Sequence, residues 1–150
     1  MIRDLLPGDV AACDVIVAGL PDWFGNADGV RECAEAVRTQ TGLVAEKDGG
    51  TIGSLTFATV GLWEVEITWM AVDSAARGLG TGSALIAELL VRLQKVGATR
   101  LLVKTLSDRE DPGPAYTQTR AFYLAKGFAP EAELDIWGPD NPAQLMVKIL

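Results

Sequence analysis

The sequence has no histidine among its 150 residues. That removes Ser-His and Cys-His nucleophile systems and most zinc sites, and no metal is expected. Any acid–base chemistry must run through Glu, Asp, Tyr, Cys, Lys or water. Cysteine is scarce as well. Cys13 and Cys33 are the only two; both fall in helix-like stretches and read as small buried apolar residues rather than as a disulfide. No apolar run approaches the roughly 20 residues of a membrane span. Residues 1–9 lack a basic segment followed by an apolar one, so no secretory signal is expected and the cytoplasm is the expected location. Basic residues are in deficit: 13 Lys and Arg against 20 Asp and Glu leave a formal charge of −7. A nucleic-acid partner, which would need Lys and Arg to neutralise phosphates, is not expected. The acidic balance favours solubility and, more weakly, a cationic partner.

What is present is ordinary globular material, 49% hydrophobic by composition. A chain of this length reads as one domain, residues 1–150, able to bury roughly 68–70% of its unfolded surface. The expected elements are a short strand within residues 1–6, then a helix over 10–19 capped by Asp9. A loop carrying Trp23 and Phe24 leads to a second helix over 28–41 that Gly42 ends. Strands follow over 43–47, 52–60 and 63–72, the first two joined by an Asp48-Gly49-Gly50 hairpin turn. In the third, Glu64, Glu66 and Thr68 alternate with Val65, Ile67 and Trp69. Leu85, Ile86, Leu89, Leu90 and Leu93 mark one face of a helix over 79–96. A strand over 100–106 comes next, then a short helix over 117–126 and strand pieces near 134–137 and 145–150.

The most informative stretch is Asp73-Ser74-Ala75-Ala76-Arg77-Gly78-Leu79-Gly80-Thr81-Gly82-Ser83. It joins an expected strand to an expected helix. Its three glycines permit a tight turn and a close approach by another molecule, and the following helix would offer unpaired N–H groups to a phosphate. A nucleotide P-loop would need Gly-Lys-Ser/Thr, but Gly82 is followed by Ser83-Ala84. A dinucleotide fingerprint begins at Gly78 and Gly80 and fails at Ser83. A tight turn without a ligand is the plain alternative.

The run fits Arg/Gln-x-x-Gly-x-Gly/Ala through Arg77, Gly80 and Gly82, after a strand ending Met70-Ala71-Val72. Downstream stands Arg120-Ala121-Phe122-Tyr123-Leu124-Ala125-Lys126-Gly127-Phe128. Together these resemble the GNAT acetyltransferase superfamily, over nearly the whole chain in element order. The resemblance implies an α/β fold with a mixed, splayed central sheet of about seven strands flanked by about four helices. It implies acetyl-CoA as co-substrate. Main-chain groups of Met70, Ala71 and Val72 would pair with the pantetheine arm, and Arg77, Gly78, Leu79, Gly80, Thr81, Gly82 and Ser83 would hold the pyrophosphate. Ser74 stands where the family often has Pro. Tyr116 and Thr119 stand where many members have Asn and Ala, and Tyr116 would substitute in holding the cofactor arm.

The same resemblance gives the chemistry. An amine must lose its proton to attack a thioester, and with no histidine a strand carboxylate is the natural base. Glu66 matches the position of many GNAT bases; Glu64 lies two residues earlier on the same strand face. Tyr123 matches the general acid that protonates the departing thiolate. The bland alternatives are solvated strand carboxylates and a packed aromatic. Trp23, Phe24 and Trp137 would line the acceptor site, where aromatics can clasp a cation; Asp108, Glu110 and Asp111 form an acidic loop that could steer an amine. The expected activity is transfer of an acetyl group from acetyl-CoA to a primary amine by direct attack in a ternary complex. A non-catalytic acyl-CoA-binding module and an interaction domain are the other readings. GNAT-like domains commonly form homodimers.

Overall fold

A computed structural model describes residues 1–24, 26–107, 113–138 and 141–150. Its seven strands, in chain order, are β1 Ile2–Asp4, β2 Thr41–Lys47, β3 Gly50–Gly61, β4 Glu64–Val72, β5 Arg100–Leu106, β6 Ala129–Leu134 and β7 Ala143–Ile149. The helices among the described residues are α1 Val10–Ala18, α2 Ala27–Thr39, α3 Thr81–Lys95 and α4 Pro114–Ala125. The sheet order is β1-β2-β3-β4-β5-β7-β6. The α/β class, the seven strands and the four helices agree with the sequence-based expectation.

Two compact units divide the chain. The first comprises Met1–Ala58 and Ile67–Gly97; the second comprises Thr59–Glu66 and Ala98–Leu150. In the first, β1 pairs antiparallel with β2 and β2 with β3. Asp48 and Gly49 both take positive φ, 53° and 80°, between the paired Lys47 and Gly50. That is the two-residue turn whose twist matches a hairpin. Helix α3 buries Leu85, Ile86, Leu89 and Leu93, each worth about 1.5–3 kcal/mol relative to exposure. A second apolar cluster joins Ile16, Val17, Leu20, Cys33 and Ala71, with Trp23, Phe24, Val30 and Trp69 packed against it.

Two local expectations give way here. Asp9 precedes α1 but makes no side-chain cap. Its carboxylate is taken by a bidentate Arg3 at 2.7 Å on both oxygens and accepts the Leu6 N–H at 2.8 Å. Arg3 also reaches Glu46, so a charge network outbids the cap. Gly42 does not end α2, which closes at Thr39; it lies inside β2. A Cβ there would sit 2.7 Å from the Leu55 carbonyl oxygen and 2.8 Å from Leu5 Cδ2. The residue is small because the site has no room.

In the second unit β7 pairs antiparallel with both β5 and β6. The strand expected near residues 134–137 lies earlier, over β6, and Ile136 and Trp137 fall beyond its end. Leu101, Val103, Tyr123, Phe128, Met146 and Val147 are among the buried apolar residues of this unit. Helix α4 is fastened at its middle and at its C-terminal end. Arg120 Nη1 donates to the Leu106 carbonyl at 2.8 Å. Gly127 (φ 90°) closes the helix where a Cβ would meet Lys148 Nζ at 2.6 Å, and that ammonium donates to the Lys126 carbonyl at 2.9 Å. A cation on the last carbonyls suits the helix dipole.

Candidate active site

Helix α3 begins behind a built turn. The Asp73 N–H donates to Ile52 O at 2.8 Å, and its side chain accepts the Ala75 N–H at 3.1 Å. The chain then makes one 3-10 turn over Ser74–Ala76. Gly78 and Gly80 follow at φ 77° and 76°, left-handed values that an L side chain resists. A Cβ at either would meet nothing within 4 Å. Conformation, not crowding, therefore demands glycine there, and the approach is open. Gly80 is the N-cap and offers no side-chain acceptor. The first N–H groups of α3, on Thr81, Gly82 and Ser83, have no intrahelical partner by helix geometry. An uncapped helix start behind an open glycine turn fits an anion. An open depression of about 370 Å³ borders it; its lining includes Leu79, Gly80, Thr81 and Ala84 together with Glu46 and Lys47.

The first unit also gathers the aromatic loop after α1. Phe24 lies 5.9 Å from Trp69, ring centre to ring centre, and the Arg77 guanidinium sits 4.0 Å over the Trp23 ring. Trp23, Phe24 and Arg77, assigned to acceptor and cofactor by the sequence, are thus neighbours. Trp69 was not among the expected site residues. Its place on an alternating strand suggested core, and it packs on that core edge. Beside it, Thr68 Oγ1 contacts Thr56 Oγ1 at 2.7 Å and donates to Gln40 Oε1 at 2.5 Å. Met70 and Val72 are half-buried, and Ala71 is buried.

The second unit holds the expected acid–base residues. Glu66 is buried on β4, and its Oε1 forms an ion pair with Lys104 Nζ on β5 at 2.9 Å. Glu64 pairs with Arg100 at 2.9 Å, and Arg100 also holds Glu131 at 2.6 Å. Lys104 was missed by the sequence reading. The sequence carried only half of the signal: Arg100 and Lys104 share one face of an alternating strand, as Glu64 and Glu66 do, but which strands are neighbours is not local information.

Tyr123 is 5% exposed and stands edge-on between Phe122 and Phe128, each at 5.3 Å. Burial pushes its phenol above the usual value near 10. Tyr116, half-buried two turns earlier on α4, is pushed up for the same reason. Trp137 is 41% exposed beyond β6, and the acidic residues Asp108, Glu110 and Asp111 lie outside the described residues. Cys13 and Cys33 are free and buried; burial drives the Cys33 thiol up to about 12. Among the described residues no group of three or more Cys, Asp and Glu could hold a metal ion, and no helix is long and apolar enough to cross a membrane.

A family profile described as "Acetyltransferase (GNAT) domain" matches residues 38–130. No curated protein matches the chain. Among solved structures, a GNAT-family protein from Desulfovibrio desulfuricans shares 21% identity over 99% of this chain and 98% of its own, with a TM-score of 0.86. The ribosomal-protein-S18-alanine N-acetyltransferase of Escherichia coli shares 19% over 99% and 92%, at 0.78. An aminoglycoside 6'-N-acetyltransferase complexed with coenzyme A shares 16% over 99% and 96%, at 0.75. At these identities the structures speak for the fold, while the profile covers more than half of the residues, so the chain belongs to the GNAT acetyltransferase family.

Proposed function

We propose that this protein transfers an acetyl group from acetyl-CoA to a primary amine by direct attack. The observation that carries the reading is the start of α3: open glycines at positive φ and a helix N-terminus with no side-chain cap. A diphosphate matches that arrangement in charge and in need of N–H donors. Gly78, Leu79, Gly80, Thr81, Gly82 and Ser83 hold it in this reading, with Arg77 supplying a cation once it leaves Trp23. Main-chain groups of Met70, Ala71 and Val72 meet the pantetheine arm as an added strand would, and Tyr116 packs against that arm. The solved relative in complex with coenzyme A supports the choice of ligand.

Glu66 is assigned as base, directly or through one water, because a buried carboxylate on β4 gives the amine's proton a destination. Tyr123 is assigned as the donor to the leaving sulfur. Its raised pKa keeps the phenol protonated at neutral pH. It also makes complete transfer to a thiolate uphill, so the hydroxyl acts chiefly as a hydrogen-bond donor to the developing charge. Trp23, Phe24 and Trp137 are assigned to the acceptor. The alanine and aminoglycoside acetyltransferases among the structural relatives support an amine acceptor.

Calorimetry with coenzyme A and a thiol-release screen of acetyl-CoA test the proposal; the acceptors are spermidine, an aminoglycoside, free amino acids and an alanine-initiated peptide. Binding heat together with thiol release from at least one amine is the expected result. No heat with coenzyme A or acetyl-CoA on folded protein sinks the reading. Heat without turnover leaves an acyl-CoA-binding module.

A further inference from the structure

Glu66 and Glu64 share β4 and each faces a cation on β5, but the two pairs are built differently. Arg100 divides its charge between Glu64 and Glu131. Lys104 has Glu66 as its one carboxylate partner among the described residues, with Nζ 2.9 Å from Oε1. The Glu66 side chain is 10% exposed and that of Lys104 35%. A carboxylate this buried is unfavourable without a partner, whereas the lysine end is open enough for a second amine to come alongside. The β5 backbone is fixed by pairing with β7, Lys104 standing opposite Leu145.

We propose that Lys104 is a positioning residue for the Glu66 carboxylate. Its ammonium pairs with Oε1, which leaves Oε2 to take the proton of the incoming amine, and its positive charge disfavours the protonated form of that amine. The inference rests on Glu66 being the base. An acceptor arrives as an ammonium with an ordinary pKa of about 10.4. A like charge close by favours its neutral form. The proton passes to Glu66 Oε2 or to a water held on it. The neutral nitrogen forms the C–N bond, the C–S bond breaks, and the thiolate leaves with the Tyr123 hydroxyl hydrogen-bonded to it and is protonated by solvent on release.

The test compares wild type, Lys104→Met, Lys104→Arg, Glu66→Gln and the Lys104→Met/Glu66→Gln double variant. Thiol release from acetyl-CoA is followed with spermidine, an aminoglycoside and an alanine-initiated peptide, and thermal melts establish that each variant is folded; Lys104→Gln replaces the Met variant if that one does not fold. Lys104→Met should lower kcat roughly tenfold while KM for the amine stays level or falls, because an ammonium no longer meets repulsion. Lys104→Arg should hold kcat within about threefold of wild type, the charge being kept. In the Glu66→Gln background the lysine change should cost nothing further. Full kcat in Lys104→Met, or a raised KM at unchanged kcat, overturns the proposal. Wild-type kcat in Glu66→Gln removes the base assignment instead, and thiol release with none of the three acceptors removes the acetyltransferase reading; either result takes the role of Lys104 with it.

Discussion

At residues 77–83 of the first unit, the exposed polar groups are main chain. Two glycines at positive φ expose the start of α3, and no side chain caps it. In the second unit the polar groups are side chains: a buried carboxylate on β4 paired with a lysine on β5, and on α4 a tyrosine edge-on between two phenylalanines. Under the proposed function the difference follows from two tasks. A diphosphate carries its charge at any working pH and needs many weak donors at fixed spacing, which a backbone supplies without titrating. An amine and a thiolate must lose and gain protons, which only titratable side chains manage. The two regions should therefore fail in opposite ways: bulk should harm the first, and loss of a single polar atom should harm the second.

The largest effect is expected from removing one oxygen. Tyr123→Phe keeps the ring between Phe122 and Phe128, so packing and melting temperature should hold. The loss in kcat should be about 10²–10⁴-fold, the usual worth of a proton donor, with coenzyme A affinity unchanged by calorimetry. Equal losses in kcat and affinity would make Tyr123 a binding residue and erase the contrast between the regions. Next comes bulk at the elbow. Gly82→Trp places an indole on the second residue of α3, across the approach to its N–H groups, and should weaken coenzyme A binding roughly 100-fold, or about 2.7 kcal/mol. Undiminished binding by a folded variant would show that the diphosphate is held elsewhere.

A third variant sharpens the comparison inside the first unit, because its glycines are not all glycine for one reason. Gly78 and Gly80 are bound by φ and have open space around them; Gly42 has an ordinary φ and no space. Gly42→Ala should cost about 1–3 kcal/mol by overpacking against the Leu55 carbonyl and Leu5, measured by denaturant unfolding, with coenzyme A affinity intact. A neutral result would mean that β1 and β2 move apart more easily than their pairing suggests.

Those glycines also show what could be read from the sequence. The elbow was legible because its rule is local: glycine spacing before an amphipathic helix specifies a turn and a helix start. The hairpin at Asp48-Gly49 was legible for the same reason. Gly42 was misread as a helix stop because its constraint comes from Leu5 and Leu55, far away in sequence. Asp9 was misread as a cap because Arg3 and Glu46 compete for the same network. The site shows the same division. Glu66 and Tyr123 stood out by spacing and resemblance. Lys104 did not, since its meaning depends on β5 standing next to β4 in the sheet, and a run such as Leu101-Leu102-Val103-Lys104 reads only as a buried strand with a charge near its end.

The smallest effect concerns pH, and it bears on the side-chain region alone. The chain has two tyrosines, Tyr116 and Tyr123, and desolvation raises the pKa of both phenols. In the unfolded chain each ionises near pH 10. A raised folded value means that the fold favours the neutral phenol. That contribution to stability is complete below about pH 10 and is lost as pH rises through the folded values. Phenolate absorbance followed across this range should lag behind that of the same protein in denaturant, and the lag should be larger for Tyr123 (in Tyr116→Phe) than for Tyr116 (in Tyr123→Phe). Turnover should likewise show no loss from tyrosine ionisation up to about pH 10. Ordinary ionisation near pH 10 in a protein that is still folded would place water at the Tyr123 hydroxyl. The phenol would then be a solvated donor, one that exchanges its proton freely with the medium and needs no buried ring to hold it neutral.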